Sequence, residues 1–80
     1  MTLDQILEQY PDEGFLRADH LDNAVIGIEY GTMRLVYSVE KCIDIMVKDQ
    51  NMDRDEAIDF LEFNTFGTFA GERTPVWVIT

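Results

Sequence analysis

Few side chains in this 80-residue sequence could carry out a reaction, and they are not grouped. Asp19 or Asp22 could orient His20, the single histidine, as a general base, but no serine or cysteine nucleophile stands near it in the sequence. Cys42, the single cysteine, adjoins only one basic residue, Lys41, whereas a reactive thiol needs a basic environment. The sequence therefore predicts a protein that is not an enzyme, with no catalytic residue and no cofactor.

The stretch from Asp49 to Asp53 looks like the start of a calcium-binding loop. In that motif a glycine allows a sharp turn, and a later glutamate binds the ion through both carboxylate oxygens. Here Arg54 takes the place of the glycine and Phe60 the place of the glutamate. Helix capping explains these polar residues better, so the sequence predicts no metal site.

Acidic residues recur at helical spacing further along the chain. Like charges four residues apart destabilise a helix by about 0.2–0.5 kcal/mol per pair, and no lysine offsets them within this stretch. One interpretation is a solvated helix face that keeps the protein soluble. The other is a partner-binding face that docks on a basic protein surface, guided by charge complementarity. The residues of this face are Asp55, Glu56, Asp59 and Glu62.

A second group of polar residues follows the acidic ones. Helical periodicity places Asn64 near the apolar side of its helix, where its amide would need hydrogen-bond partners. One interpretation is a local latch, in which residues further along the chain satisfy this amide and tie the helix to a strand. The other is a small ligand site beside an aromatic wall formed by Tyr30 or Tyr37. The residues predicted for either role are Asn64, Thr68, Glu72, Arg73 and Thr74.

The net charge narrows the classes of partner. Sixteen acidic residues against six basic ones give a formal charge of -10, which disfavours direct nucleic-acid binding because phosphates need lysine and arginine. No apolar run approaches the roughly 18 residues of a membrane span, and acidic residues occupy the N-terminus where a signal peptide has basic ones. With one cysteine and hence no internal disulfide, we expect a soluble cytoplasmic protein.

The N-terminal half predicts a short helix and a hairpin within a single domain, 1–80. Thr2 begins a capping box, and the helix after it must stop before Pro11. The β-rich segments 24–30 and 33–37 are separated by a short turn, which is typical of a hairpin. Strict alternation would place residues 24, 26, 28 and 30 on one face of the first strand and residues 25, 27 and 29 on the other.

The C-terminal half predicts two helices and a strand. Ser38 and Asp53 stand at N-cap positions, and a tight turn between the helices favours an antiparallel pair. Gly71 is expected to cap the end of the second helix, and Pro75 opens an apolar strand at 76–79. The predicted fold is α+β: a three-stranded antiparallel-type sheet, made of the hairpin plus the C-terminal strand, packs against two antiparallel helices and is preceded by a short N-terminal helix.

Four segments resemble a set of small proteins encoded by tailed bacteriophages. They read A-V-I-G-I at 24–28, R-L-V-Y-S at 34–38, E-A-I-D-F-L-E-F-N at 56–64 and G-T-F-A-G-E-R-T-P at 67–75. The last two are the specific part, although Phe69 and Ala70 stand where the family pattern has Tyr-Val. The resemblance implies a virus-encoded protein in the cytoplasm of a bacterial host, and it implies no activity, cofactor or catalytic residue.

These observations favour a non-enzymatic phage-type accessory protein that binds a host or phage protein with a basic surface. Inhibition of host nucleic-acid-handling or defence machinery through the acidic helix face fits this description. A second hypothesis is a protein that binds or sequesters a small molecule or nucleotide through the Asn64–Thr74 region. A third is a structural, self-associating protein, such as a homodimer, whose contact surface includes Phe63, Phe66 and Phe69.

Overall fold

The computed structural model describes residues 1–80. Its main elements, in chain order, are α1 (Leu3–Gln9), β1 (Val25–Glu29), β2 (Arg34–Ser38), α2 (Val39–Asp49), α3 (Arg54–Leu61) and β3 (Val76–Val78). A 3-10 turn (Asp22–Ala24) precedes β1, and a π-helical turn (Glu62–Phe66) extends α3. The predicted α+β class is confirmed, together with the hairpin, the C-terminal strand and the short N-terminal helix. The longest helix has 11 residues, and none could cross a membrane.

The sheet differs from the prediction in the direction of its third strand. Its order is β1-β2-β3, and β1 pairs with β2 as an antiparallel hairpin. However, β3 runs parallel to β2, so the expected antiparallel-type sheet is a mixed sheet. The reason lies in the connection, because α2, α3 and the π-helical turn separate these two strands. A connection of that length can return the chain to either end of the sheet, which a tight turn cannot do.

A β-bulge in β1 changes which residues face the core. The pairing register with β2 shifts between Val25 and Gly27, which leaves Ile26 as an extra residue. Val25 is buried and Ile28 packs against the core, so both lie on the inner face, although strict alternation assigned them to opposite faces. The alternation predicted for this strand is therefore wrong at the bulge.

The three predicted N-caps are present. Thr2, Ser38 and Asp53 each accept a hydrogen bond from the backbone N–H three residues further on, at 3.2, 3.2 and 2.8 Å respectively. In α1 and α3 the side chain at that third position also accepts a bond from the N-cap N–H, which completes both capping boxes. The sequence signals for helix starts therefore placed these boundaries correctly.

The core lies between the inner face of the sheet and the helices. α1 packs on β1, α2 packs on β2, and α3 packs on α2. Tyr37 of β2 is fully buried, and its hydroxyl accepts a hydrogen bond from the Ala18 N–H at 2.9 Å. This bond attaches the loop before the 3-10 turn to the sheet. The buried apolar residues are Leu3, Ile6, Leu21, Ala24, Val25, Leu35, Tyr37, Cys42, Ile43, Met46, Ala57 and Leu61.

Candidate functional site

The outer side of α3 carries exposed carboxylates, and the first residue beyond it, Glu62, carries another. We call Asp55, Glu56, Asp59 and Glu62 the α3 acidic face; all four side chains are exposed. None of them forms an ion pair, because the two salt bridges of the chain join Arg54 to Glu40 and Arg73 to Glu13. Glu56 also accepts a long bond of 3.4 Å from the Asp53 N–H. The remaining three carboxylates have no bond within the protein.

A π-helical turn continues α3 and brings aromatic residues to the surface. Phe63, in this turn, is 88% exposed, and Phe60, one turn earlier, is 41% exposed. Phe66 instead packs against Trp77, with ring centroids 5.0 Å apart. Phe69, in the segment after the turn, is 82% exposed. Of the three phenylalanines predicted for self-association, two are therefore exposed and one is held in an aromatic cluster.

Asn64 is exposed, so the prediction that its amide is buried on the inner side is wrong. Its Nδ2 donates to the Phe60 carbonyl at 3.0 Å, and the Thr68 hydroxyl donates to the Asn64 carbonyl at 3.2 Å. In a π-helix the backbone bonds span five residues, so residues after Leu61 fall behind the 3.6-residue period that the sequence argument assumed. The latch interpretation required hydrogen bonds between Asn64 and residues 72–74, and Asn64 makes none.

The helix ends earlier than predicted, at Gly67 rather than at Gly71. Gly71 has φ 101° and belongs to a separate turn, where a left-handed backbone favours glycine. The Thr74 hydroxyl donates to the Gly71 carbonyl at 2.7 Å and accepts from the Ala70 N–H at 2.8 Å. Thr74 therefore holds this turn in place just before β3.

Arg73 and Glu72 lie away from the other predicted ligand residues. Arg73 donates through Nη1 to the Met33 carbonyl at 3.2 Å and pairs through Nη2 with Glu13 at 3.0 Å. These bonds connect the turn before β3 to the hairpin and to the N-terminal loop. Glu72 is exposed and makes no bond. Neither residue lines the groove beside α3 in which the other three predicted ligand residues meet.

This groove lies beside α3. We call it the Trp77 groove; it has a volume of about 480 Å³ and lies between segment 16–21, the C-terminal end of α2, the end of α3 with its π-helical turn, and residues 68–77. It brings together three of the five predicted ligand residues, Asn64, Thr68 and Thr74. The other residues of its wall were not predicted from the sequence: Leu16, Arg17, Ala18, Asp19, His20, Leu21, Met46, Gln50, Phe60, Thr65, Ala70, Pro75 and Trp77.

The aromatic wall of the groove comes from Trp77 rather than from either predicted tyrosine. Trp77 packs against Tyr37 and Phe66, with ring centroids 5.0 Å away in both cases. Tyr37 lies under the wall, where burial raises the pKa of its hydroxyl, and Tyr30 is 94% exposed at the hairpin turn. The apolar run that contains Trp77 was the available signal, but it indicated a buried strand and not a groove.

The side chains considered for catalysis remain apart. Cys42 is buried in α2, and burial raises the pKa of its thiol to about 11, so the thiol is protonated at neutral pH. His20 is exposed in a turn with φ 68° and makes no hydrogen bond to Asp19 or Asp22. Asp53 is used as a helix cap, and no three His, Cys, Asp or Glu side chains are grouped as a metal site requires.

No family model, curated protein or solved structure matches the chain. The resemblance to phage proteins therefore stays a prediction.

Proposed function

We propose that the chain is a non-enzymatic, phage-type accessory protein that binds a host or phage protein through the α3 acidic face and Phe63. The observation that supports this proposal is the 88% exposure of Phe63 in the same segment as four acidic side chains without ion pairs. Folding explains neither the exposure of Phe63 nor the carboxylates of Asp59 and Glu62, whereas Asp55 and Glu56 lie in the first turn of α3 and complement the helix dipole. An exposed phenylalanine gains nothing from the core, and clustered carboxylates weaken the helix that carries them.

Together, the two features suit a docking surface. Aromatic side chains are enriched in protein interfaces, where burying a phenylalanine contributes about 1.5–3 kcal/mol. Carboxylates around such an anchor attract a basic partner and exclude an acidic one. The acidic face would attract a basic partner and select it over an acidic one, whereas Phe63 would supply apolar contact area.

The charge of the face indicates the kind of partner. Proteins that bind nucleic acid present lysine and arginine to phosphates, and an acidic face with a net charge of -10 behind it can occupy such a surface. We therefore propose that the target is a nucleic-acid-handling or defence protein of a bacterial host, and that the protein acts in the host cytoplasm as an inhibitor. The acidic face would then compete with the nucleic acid of its target.

The experiment compares capture of bacterial cytoplasmic proteins by the native chain and by two variants. One variant reverses three charges, Asp55→Lys, Asp59→Lys and Glu62→Lys, and leaves Glu56 in place because Glu56 completes a capping box. The other is Phe63→Ala. Proteins retained by the native chain are identified by mass spectrometry, purified and titrated against all three. We expect a basic partner whose affinity falls at least about tenfold with each variant.

Matched controls separate the face from overall charge and hydrophobicity. The triple variant Glu8→Lys, Asp12→Lys, Asp44→Lys changes the net charge equally at exposed positions, and Tyr30→Ala removes an aromatic that is 94% exposed. Both should bind as the native chain does. If the control variants lose as much affinity as the α3 variants, the binding depends only on overall charge and hydrophobicity, which would contradict the proposal. Unchanged affinity of the α3 variants would also overturn it.

A further inference from the structure

Exposed apolar side chains are concentrated around the Trp77 groove. Leu16 and Phe60, which are 37% and 41% exposed, line it from two different segments of the chain. Phe69, which is 82% exposed, stands between Thr68 and Ala70, two residues that also line the groove. Single exposed apolar residues are ordinary on a protein surface, whereas a group of them around a concave feature marks an interaction site.

The groove adjoins the α3 acidic face through Phe60. Residues three and four apart on a helix are surface neighbours, so Phe60 lies beside Glu56, and Phe63 follows it at the start of the π-helical turn. Phe60 lines the groove, whereas Glu56 and Phe63 belong to the docking surface proposed above. The groove and that surface therefore form one continuous patch, which is apolar at the groove and acidic along α3.

The walls of the groove are held in place by contacts behind them. Tyr37 and Phe66 both pack on Trp77, and the Tyr37 hydroxyl accepts a hydrogen bond from the N–H of Ala18, which lines the groove. Thr74 is engaged by its own turn. A wall that is already ordered costs a binding partner little conformational entropy.

The charges of the patch favour a basic occupant. Within the groove, Arg17 and Asp19 oppose each other in sign, and His20 is the third ionisable lining residue. Along α3, by contrast, the carboxylates have no ion-pair partner. A second copy of the chain would bring its own charge of -10 against them, and anionic nucleic acid or lipid would be repelled in the same way. A basic protein segment is the class of occupant that complements these charges.

We infer that the Trp77 groove receives the apolar side of a basic amphipathic helix of the partner, whose lysines or arginines contact the α3 acidic face. Helices of this kind place an apolar stripe in a hydrophobic groove. The volume of about 480 Å³ lies within the range of sites that enclose most of a small ligand, which leaves room for apolar side chains. The groove thereby adds an apolar anchor site to the proposed function, on which this inference rests.

The test uses a synthetic helical peptide of about 18 residues, with leucines at helical spacing on one side and lysines on the other. Two matched peptides replace either its leucines by alanine or its lysines by glutamine. Fluorescence anisotropy of each labelled peptide gives its dissociation constant, and the emission of Trp77, the only tryptophan of the chain, reports on the groove. We expect saturable binding of the parent peptide with a change in Trp77 emission, and binding at least about tenfold weaker for both matched peptides.

Two variants locate the site on the protein. Leu16→Ser and Phe60→Ser each remove an apolar groove side chain and leave the acidic residues in place, so each should weaken binding of the parent peptide at least about fivefold. Val47→Ser is the matched control, because Val47 of α2 is 36% exposed and lies outside the groove, and it should bind as the native chain does. Circular dichroism verifies that all three variants fold.

Failure of this inference and failure of the proposed function give different results. Unchanged peptide binding by both groove variants, with weaker binding by the Asp55→Lys, Asp59→Lys, Glu62→Lys variant, would overturn the groove as anchor site and leave the docking proposal standing. Unchanged binding by that charge-reversal variant would contradict the docking proposal, and equal binding of the lysine and glutamine peptides would overturn the basic occupant. No saturable binding of the parent peptide, or self-association of the native chain that Leu16→Ser abolishes, would also overturn the inference.

Discussion

Two helical segments of this protein, α2 and the α3–π segment (54–66), differ in how many of their apolar side chains they bury. α2 buries Cys42, Ile43 and Met46 and exposes mainly polar residues. The α3–π segment buries only Ala57 and Leu61, and its π-helical turn buries nothing. Folding therefore accounts for the sequence of α2, whereas the α3–π segment carries exposed phenylalanines, Phe60 and Phe63, that the core does not use.

The charges of the two segments differ in the same way. In α2, Glu40 lies in the first turn and Lys48 in the last, so both complement the helix dipole. α3 has no basic residue in its last turn, and Asp59 and Glu62 stand near its C-terminal end, where negative charge is unfavourable. This charge pattern is the second property of the α3–π segment that stability does not explain.

The largest effect should distinguish the inner from the outer residues of the α3–π segment. Leu61→Ala removes a fully buried side chain and should lower the free energy of unfolding by about 2–5 kcal/mol. Phe63→Ala should change it by about 0.5 kcal/mol or less, because the ring lies in solvent. Urea denaturation measures both, and a comparable loss in the two variants would contradict the assignment of Phe63 to a surface outside the core.

The free energy of unfolding should depend on pH through Cys42 of α2. Burial raises the pKa of the Cys42 thiol from an ordinary value of 9.0 to about 11, so the native state favours the protonated thiol. Its contribution to stability is present below pH 9 and is lost as the pH rises toward 11, by about 1.4 kcal/mol per pH unit between the two pKa values. Unfolding free energies at pH 7 and pH 10 should differ less in Cys42→Ala than in the native chain. An identical difference would show that the thiol is not responsible.

A smaller effect is expected at the start of α3. Asp53→Ala removes the N-cap acceptor and half of the capping box, which should cost about 1 kcal/mol of stability. Asp53→Ser retains an acceptor and should recover most of the loss. If thermal melting places Ser and Ala at the same stability, the capping interaction contributes nothing.

The smallest effect should have the opposite sign. Asp59→Asn removes repulsion with Asp55 and Glu62 and should stabilise the protein by about 0.2–0.5 kcal/mol per pair. The gain should shrink as salt screens the exposed charges. In a matched change in α2, Asp44→Asn, the carboxylate has Glu40 four residues before it but also Lys41 and Lys48 at helical spacing, so the substitution should give no comparable gain. Destabilisation by Asp59→Asn at low salt would show that the acidic face serves folding after all.

The sequence predicted the fold wherever local chemistry decides it. Helix starts at Thr2, Ser38 and Asp53 follow from side chains that bond to neighbouring backbone, and the hairpin follows from two β-rich runs around a short turn. The bulge at Ile26 and the parallel direction of β3 depend on how distant segments pack. Neither leaves a local signal in the sequence.

The candidate sites were predicted in part for the same reason. The exposure of Asp55, Glu56 and Asp59 follows from helical spacing, which holds up to Leu61. Asn64 was misplaced because the π-helical turn breaks that spacing, and the groove was missed because its walls come from four separated segments. Only tertiary packing brings His20 and Trp77 to the same groove.

The most direct test of the docking proposal is the salt dependence of the dissociation constant for the captured basic partner, measured for the native chain and the Asp55→Lys, Asp59→Lys, Glu62→Lys variant. We expect the native chain to bind tightly at low salt and progressively more weakly as salt rises, and the variant to bind weakly at every salt concentration. A variant with the affinity and salt dependence of the native chain would contradict it.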